Sequence, residues 1–133
     1  MAKLFLGDVG SLPIGLLLGW LLLVLAGNGG RTAAALLPLY YLADSTITLL
    51  RRALKHEPVW LAHRSHFYQR ATDRGFRVIE VVTRVFVVNI LLAALAFATI
   101  LLPSRTTDIA AISAGGALVI WLLIVFARGP TRA

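Results

Sequence analysis

Two histidines three residues apart, His63 and His66, stand with Arg64, Arg70 and two aromatic residues in the segment Ala62-His63-Arg64-Ser65-His66-Phe67-Tyr68-Gln69-Arg70-Ala71. Imidazoles beside guanidinium groups suit phosphate oxygens, because they donate charge-assisted hydrogen bonds and stabilise negative charge that builds up in a transition state. The spacing also invites a metal, but two imidazoles leave a zinc site incomplete. A second reactive group is Asp8, set in Gly7-Asp8-Val9-Gly10-Ser11. A hard Mg²⁺ ion carrying phosphate ligands takes one or two such carboxylates plus waters, whereas Asp between glycines is also an ordinary turn signal. The third is Asp44, an acid inside an apolar run. At that depth a carboxylate faces protein or water rather than lipid, so it serves either a functional contact or a buried hydrogen bond that fixes helix packing.

The elements that must position these groups are membrane spans. Of 133 residues, 59% are hydrophobic and only 14% charged, and the mean hydropathy is +0.83, far from the soluble average of roughly 45–50% apolar and about 25% charged. The composition implies an all-α, polytopic membrane protein forming a single integral region, residues 1–133. Each crossing of a ~30 Å hydrocarbon core takes about 20 residues, which leaves room for about four transmembrane helices and no soluble domain. With no cysteine in the chain, disulfides, thiolate catalysis and Cys-type zinc sites are excluded.

Four apolar stretches satisfy this expectation, at about 9–26, 32–50, 81–102 and 109–127. Ser11 can cap the first, with Pro13 in its first turn, and Gly15 and Gly19 form a small-xxx-small pair suited to close helix packing. The run resembles a leader peptide, but Asp8 lies ahead of it and further spans follow. Gly27-Asn28-Gly29-Gly30-Arg31 reads as a turn between spans, and Pro38 kinks the second span. Glu80 and Arg84 stand at i,i+4 spacing suitable for a pair. Ser113-Ala114-Gly115-Gly116-Ala117 offers a small-residue contact patch in the last span.

Loop 51–77 holds Arg51, Arg52, Lys55, Arg64, Arg70, Arg74 and Arg77. Short cytoplasmic loops are enriched in Lys and Arg, so this loop and both termini are expected in the cytoplasm, with Arg31 and Arg105 outside. That distribution accounts for much of the +7 net charge without nucleic acid as a partner. Within the loop, Pro58 can open a helix with no breaker before Gly75. On such a cytoplasmic amphipathic helix, between the second and third spans, Trp60, Leu61, Arg64, Phe67, Tyr68 and Ala71 share one side. His63, His66, Arg70 and Arg74 share an adjacent arc. The arc can present a His/Arg row to an anion, or simply anchor the helix at anionic headgroups. The expected orientation brings Asp8 and the histidines to the same face.

In three segments the chain resembles the polyprenyl-phosphate N-acetylhexosamine-1-phosphate transferase family. These are Phe5-Leu6-Gly7-Asp8-Val9-Gly10-Ser11-Leu12-Pro13 with Gly15, then residues 37–52 from Leu37-Pro38-Leu39-Tyr40-Tyr41 through Asp44 to Arg51-Arg52, then His63-Arg64-Ser65-His66-Phe67-Tyr68-Gln69-Arg70. The His-Arg-Ser-His form is similar to the N-acetylglucosamine-type branch. The resemblance implies transfer of a sugar-1-phosphate from a UDP-sugar to a polyprenyl phosphate at the cytoplasmic face of the inner membrane, with Mg²⁺ as cofactor and UMP released. It matches Asp8 to the family's aspartate of metal binding or catalysis, and His63, Arg64 and His66 to the cytoplasmic His motif that handles the nucleotide-sugar phosphates. With the reading of the residues above, the expected site has Asp8, His63 and His66 as catalytic residues, Asp8 as metal ligand, and Arg64, Arg70 and Asp44 as substrate-binding residues.

The family has about ten spans, and its adjacent Asp-Asp pair precedes the Gly-Asp-Val-Gly-Ser turn. This sequence contains no such pair. The chain is therefore expected to be the C-terminal part of such an enzyme, working with an N-terminal half or as a homo-oligomer. The competing expectation is a non-catalytic four-helix scaffold or lipid-binding protein.

Overall fold

The computed structural model describes residues 7–57 and 66–130, with side chains from residue 10 onward. Among these the chain is entirely helical, in the order α1 (Gly7–Gly27), α2 (Arg31–Leu36), α3 (Leu39–Leu54), α4 (Phe67–Asp73), α5 (Val78–Leu101) and α6 (Arg105–Arg128). Three helices are long and apolar enough to cross a membrane: Gly10–Gly27 within α1, Val78–Leu101 and Arg105–Arg128. The chain is a membrane protein on that ground.

The stretch expected as a second span is two helices rather than one. Pro38 has no N–H to continue the helical ladder, and its ring collides with the carbonyl four residues back. The helix stops at Leu36 and restarts at Leu39, with Pro38 at φ −89° and ψ 3° as the N-cap of α3. The carbonyl of Pro38 then accepts from the Leu42 N–H at 3.0 Å, so the new helix begins at once.

The other helix boundaries also move outward from the apolar runs. α1 starts at Gly7, which puts Ser11 and Pro13 inside the helix rather than at its cap and first turn. α5 starts three residues before Val81, because Glu80 Oε2 accepts from the Arg77 N–H at 2.7 Å and satisfies an amide that the helix start leaves orphaned. α6 starts at Arg105, where Ser104 Oγ accepts from the Thr107 N–H at 3.1 Å and Asp108 lies in the positive first turn.

Three helices end with the same paired hydrogen bonds. After α1, Gly29 N donates to Ala26 O and Gly30 N to Leu25 O; after α4, Gly75 N donates to Thr72 O and Phe76 N to Ala71 O. Both glycines have positive φ, 94° and 104°, as this left-handed reversal requires. After α3 the bonds run from His56 N to Ala53 O and from Glu57 N to Arg52 O, with His56 at φ 55° in the place usually given to glycine.

The core lies where α5 and α6 pack along each other and α2 packs onto α5. The buried positions Val88, Leu92 and Ala96 of α5 meet Ala111, Val119, Leu122 and Phe126 of α6, and Ala33, Leu36 and Tyr40 fill the third side. Gly115 makes the close approach possible, since a Cβ there would stand 2.7 Å from Leu36 Cδ2 and 3.1 Å from Leu92 Cδ2. α1 rests on α2, and no residue of Gly10–Gly27 is buried. The expected close packing at Gly15 and Gly19 does not occur among the described residues, since nothing lies within 4 Å of a Cβ at either.

Candidate functional site

α3 is built with its polar residues inward. Tyr40, Asp44, Thr48 and Arg52 follow at four-residue intervals and are the helix's buried positions, while Leu42, Ile47, Leu49, Leu50 and Leu54 are exposed. A soluble helix places these groups the other way round. In a bilayer the arrangement is favourable, because apolar side chains can meet lipid and polar ones must find partners inside the protein.

Asp44 is that partner for the chain that returns from the loop. It is 3% exposed, and its Oδ1 accepts from the Phe67 N–H at 3.0 Å and from the Thr48 hydroxyl at 3.1 Å. The Nδ1 of His66 lies 3.4 Å from the same oxygen. A carboxylate beside Nδ1 favours the tautomer with the proton on that nitrogen. The His66 ring is also stacked on Tyr68, with centroids 5.8 Å apart and planes at 19°.

His66 has extended backbone, φ −61° and ψ 150°, and is the N-cap of α4, a helix of seven residues. The single amphipathic helix expected to carry His63, His66 and Arg70 in one arc therefore does not run through His66. Asp44 supplies the cap: its carboxylate takes the first amide of α4, which the side chain of His66, the N-cap residue, does not. Beyond the cap, Ala71 is buried and Phe67 packs against the core, as the apolar side of the helical wheel expects, whereas Tyr68 is exposed.

A basic cavity of about 230 Å³ lies at the C-terminal end of α3, lined by Thr48, Arg51, Arg52, Lys55, Glu57 and Arg70. Arg52 is nearly buried and is paired with Glu57 at 3.2 Å. The left-handed turn at His56 makes that pair, by sending Glu57 back towards the helix end. Arg51 and Arg52 also complement the partial negative charge of the last turn of α3. Four cationic side chains and one carboxylate around a small polar cavity suit a phosphate or diphosphate.

The structure thus joins Asp44 to His66 and brings Arg70 to the arginine pair that ends α3. His63 and Arg64 lie outside the described residues. Asp8 falls in α1, and its side chain lies outside the described residues as well. Among the described residues no group of three His, Cys, Asp or Glu side chains is placed to hold a metal, and the buried carboxylate of Asp44 is engaged by protein donors. These residues do not by themselves make the Mg²⁺ site that the family resemblance implies.

Tyr40, Thr48, Arg51, Arg52 and Lys55 were not singled out by sequence as members of a site. The four-residue spacing of Tyr40, Asp44, Thr48 and Arg52 within an apolar run is the signal that finds most of them. Comparison of the chain with family models, with characterised proteins and with solved structures finds no match.

Proposed function

We propose that this chain is the part of a phosphoglycosyl transferase that receives the nucleotide-sugar diphosphate at the cytoplasmic face of a membrane. The observation that supports it best is the seating of His66 on the buried Asp44, one turn along α4 from Arg70 and about two turns along α3 from Arg51 and Arg52 of the basic cavity. In this reading the arginines and Lys55 bind the diphosphate of a UDP-sugar, and His63 and His66 attend the phosphate that is transferred to a polyprenyl phosphate. Asp44 acts through His66 and is a positioning residue.

The broken pair α2–α3 makes a fourth crossing together with α1, α5 and α6, and loop 51–77 lies in the cytoplasm with both termini. The amphipathic segment between the second and third crossings lies along the membrane surface. The acidic pair that the chemistry needs comes from a further segment, on the same polypeptide or another, and that segment also completes the Mg²⁺ site around Asp8.

The test is release of UMP from a UDP-N-acetylhexosamine by membranes that contain the chain, a segment bearing an Asp-Asp pair, undecaprenyl phosphate and Mg²⁺. The reading expects UMP release that His66→Ala lowers ~10²-fold or more, the scale of a lost acid–base or oxyanion-type contact. Undiminished release by that variant would remove His66 from the site. No release with the complete mixture would favour a non-catalytic scaffold.

A further inference from the structure

A second basic cavity lies between the ends of α5 and α6, at the end where Arg77 caps one helix and Arg128 closes the other. It has a volume of about 610 Å³, and its lining includes Phe76, Arg77, Glu80, Arg84 and Arg128. Three guanidinium groups meet one carboxylate there, and that carboxylate is already engaged, with Glu80 Oε2 accepting from the Arg77 N–H at 2.7 Å.

Arg84 gives the cavity its character. It stands six residues, about 9 Å, inside the start of α5, in a helix otherwise apolar enough to span a membrane. The i,i+4 pair with Glu80 expected from the sequence is not formed. The Arg84 guanidinium instead lies over the ring of Phe76, with its central carbon 4.6 Å from the centroid. The ring is itself held edge-on by Phe126 at 6.0 Å. The Nη1 of Arg84 is buried and has no hydrogen-bond partner among the described residues. A guanidinium at this depth is costly unless paired, and a ring face offsets only part of its lost hydration.

A smaller cavity continues from the first, sharing Glu80 and Arg84 and adding Ile79 and Thr83. Ile79 and Val82 are exposed on the outward surface of α5. A polar recess at the helix ends thus runs on to an apolar surface within the span.

We propose that this cavity binds the phosphate of an anionic phospholipid, with Arg77 and Arg128 at the rim, Arg84 below them, and the acyl chains along the outward face of α5. Basic recesses between spanning helices are suited to such headgroups. A lipid phosphate enters the cavity from the membrane surface while its acyl chains cover the exposed Ile79 and Val82 of α5, an apolar contact that a soluble anion lacks. The proposal is independent of the transferase reading, because none of these side chains belongs to the Asp44–His66 site.

The test uses the full chain in nanodiscs of phosphatidylcholine, with and without phosphatidylglycerol, followed by release into mild detergent and native mass spectrometry. Arg128→Gln, Arg84→Gln and, as a control at the opposite end of α6, Arg105→Gln are compared with the parent chain. Phosphatidylglycerol is expected to be retained by the parent and by Arg105→Gln. Retention should fall about fivefold for each cavity arginine removed, the ratio that follows from ~1 kcal/mol per basic residue near a membrane surface. Arg128 is exposed, so its variant keeps the test valid if Arg84→Gln fails to fold. Equal retention of phosphatidylcholine, equal loss in Arg105→Gln, or complete displacement by millimolar inorganic phosphate would each overturn the proposal.

Discussion

Asp44 is legible in the sequence as an acid in an apolar run, but its partners are not. His66 and Phe67 lie 22 and 23 positions away, and no periodicity links them to α3. In the structure the carboxylate accepts from the chain that returns from the loop and lies beside a candidate site histidine in the same contact. Asp44→Ala leaves the Phe67 amide and the Thr48 hydroxyl without their acceptor, at a cost of about 2–3 kcal/mol, and should lower the thermal midpoint in detergent. Asp44→Asn keeps an acceptor oxygen in place and should lose clearly less. Equal losses would mean that the hydrogen bonds are not what the residue contributes. His56 supplies a prediction of opposite sign. Its left-handed φ of 55° costs a non-glycine residue roughly 1–2 kcal/mol, partly offset because glycine has more unfolded-state freedom to lose. His56→Gly should therefore raise stability by about 0.5–1 kcal/mol, read from the same midpoint, and a lowered midpoint would contradict the account.

Apolar length alone located α1, α5 and α6 in the sequence, because nothing else places 18 or more such residues together. The ends of α5 and α6 were missed by a few residues, since Arg77–Glu80 and Ser104–Thr107 extend the helices by capping rather than by hydrophobicity. Pro38 announced a kink, and the break it makes is complete. The small-residue stretches divided: Gly115 is packed against Leu36 and Leu92, whereas Gly15, Gly19 and Gly116 meet nothing within 4 Å. Small residues permit close approach without compelling it, so only the facing element decides. Gly115→Ala should cost about 1–3 kcal/mol by overpacking buried leucines. Gly116→Ala, one residue on, should be neutral or stabilise by up to about 1 kcal/mol through helix propensity. Similar effects at both positions would place the α6 contact elsewhere.

At the scale of the whole molecule, one long helix stands against α2 with none of its spanning residues buried, while α5 and α6 form the core with α2. The orientation expected from basic residues is testable because the chain has no cysteine of its own. In intact cells a membrane-impermeant maleimide should label Ser104→Cys, and should label Lys55→Cys only after lysis. The reverse pattern would invert the topology and move the candidate site to the wrong face. The family resemblance rests on sequence motifs, two of which the structure draws together when Asp44 seats His66 and the chain that leads to Arg70. The most direct measurement of the central claim is the UMP assay on the complete mixture, comparing the parent chain with His66→Ala at matched expression and thermal midpoint. The account predicts release by the parent and loss of ~10²-fold or more in the variant. Equal release by the two, or none by either, would contradict it.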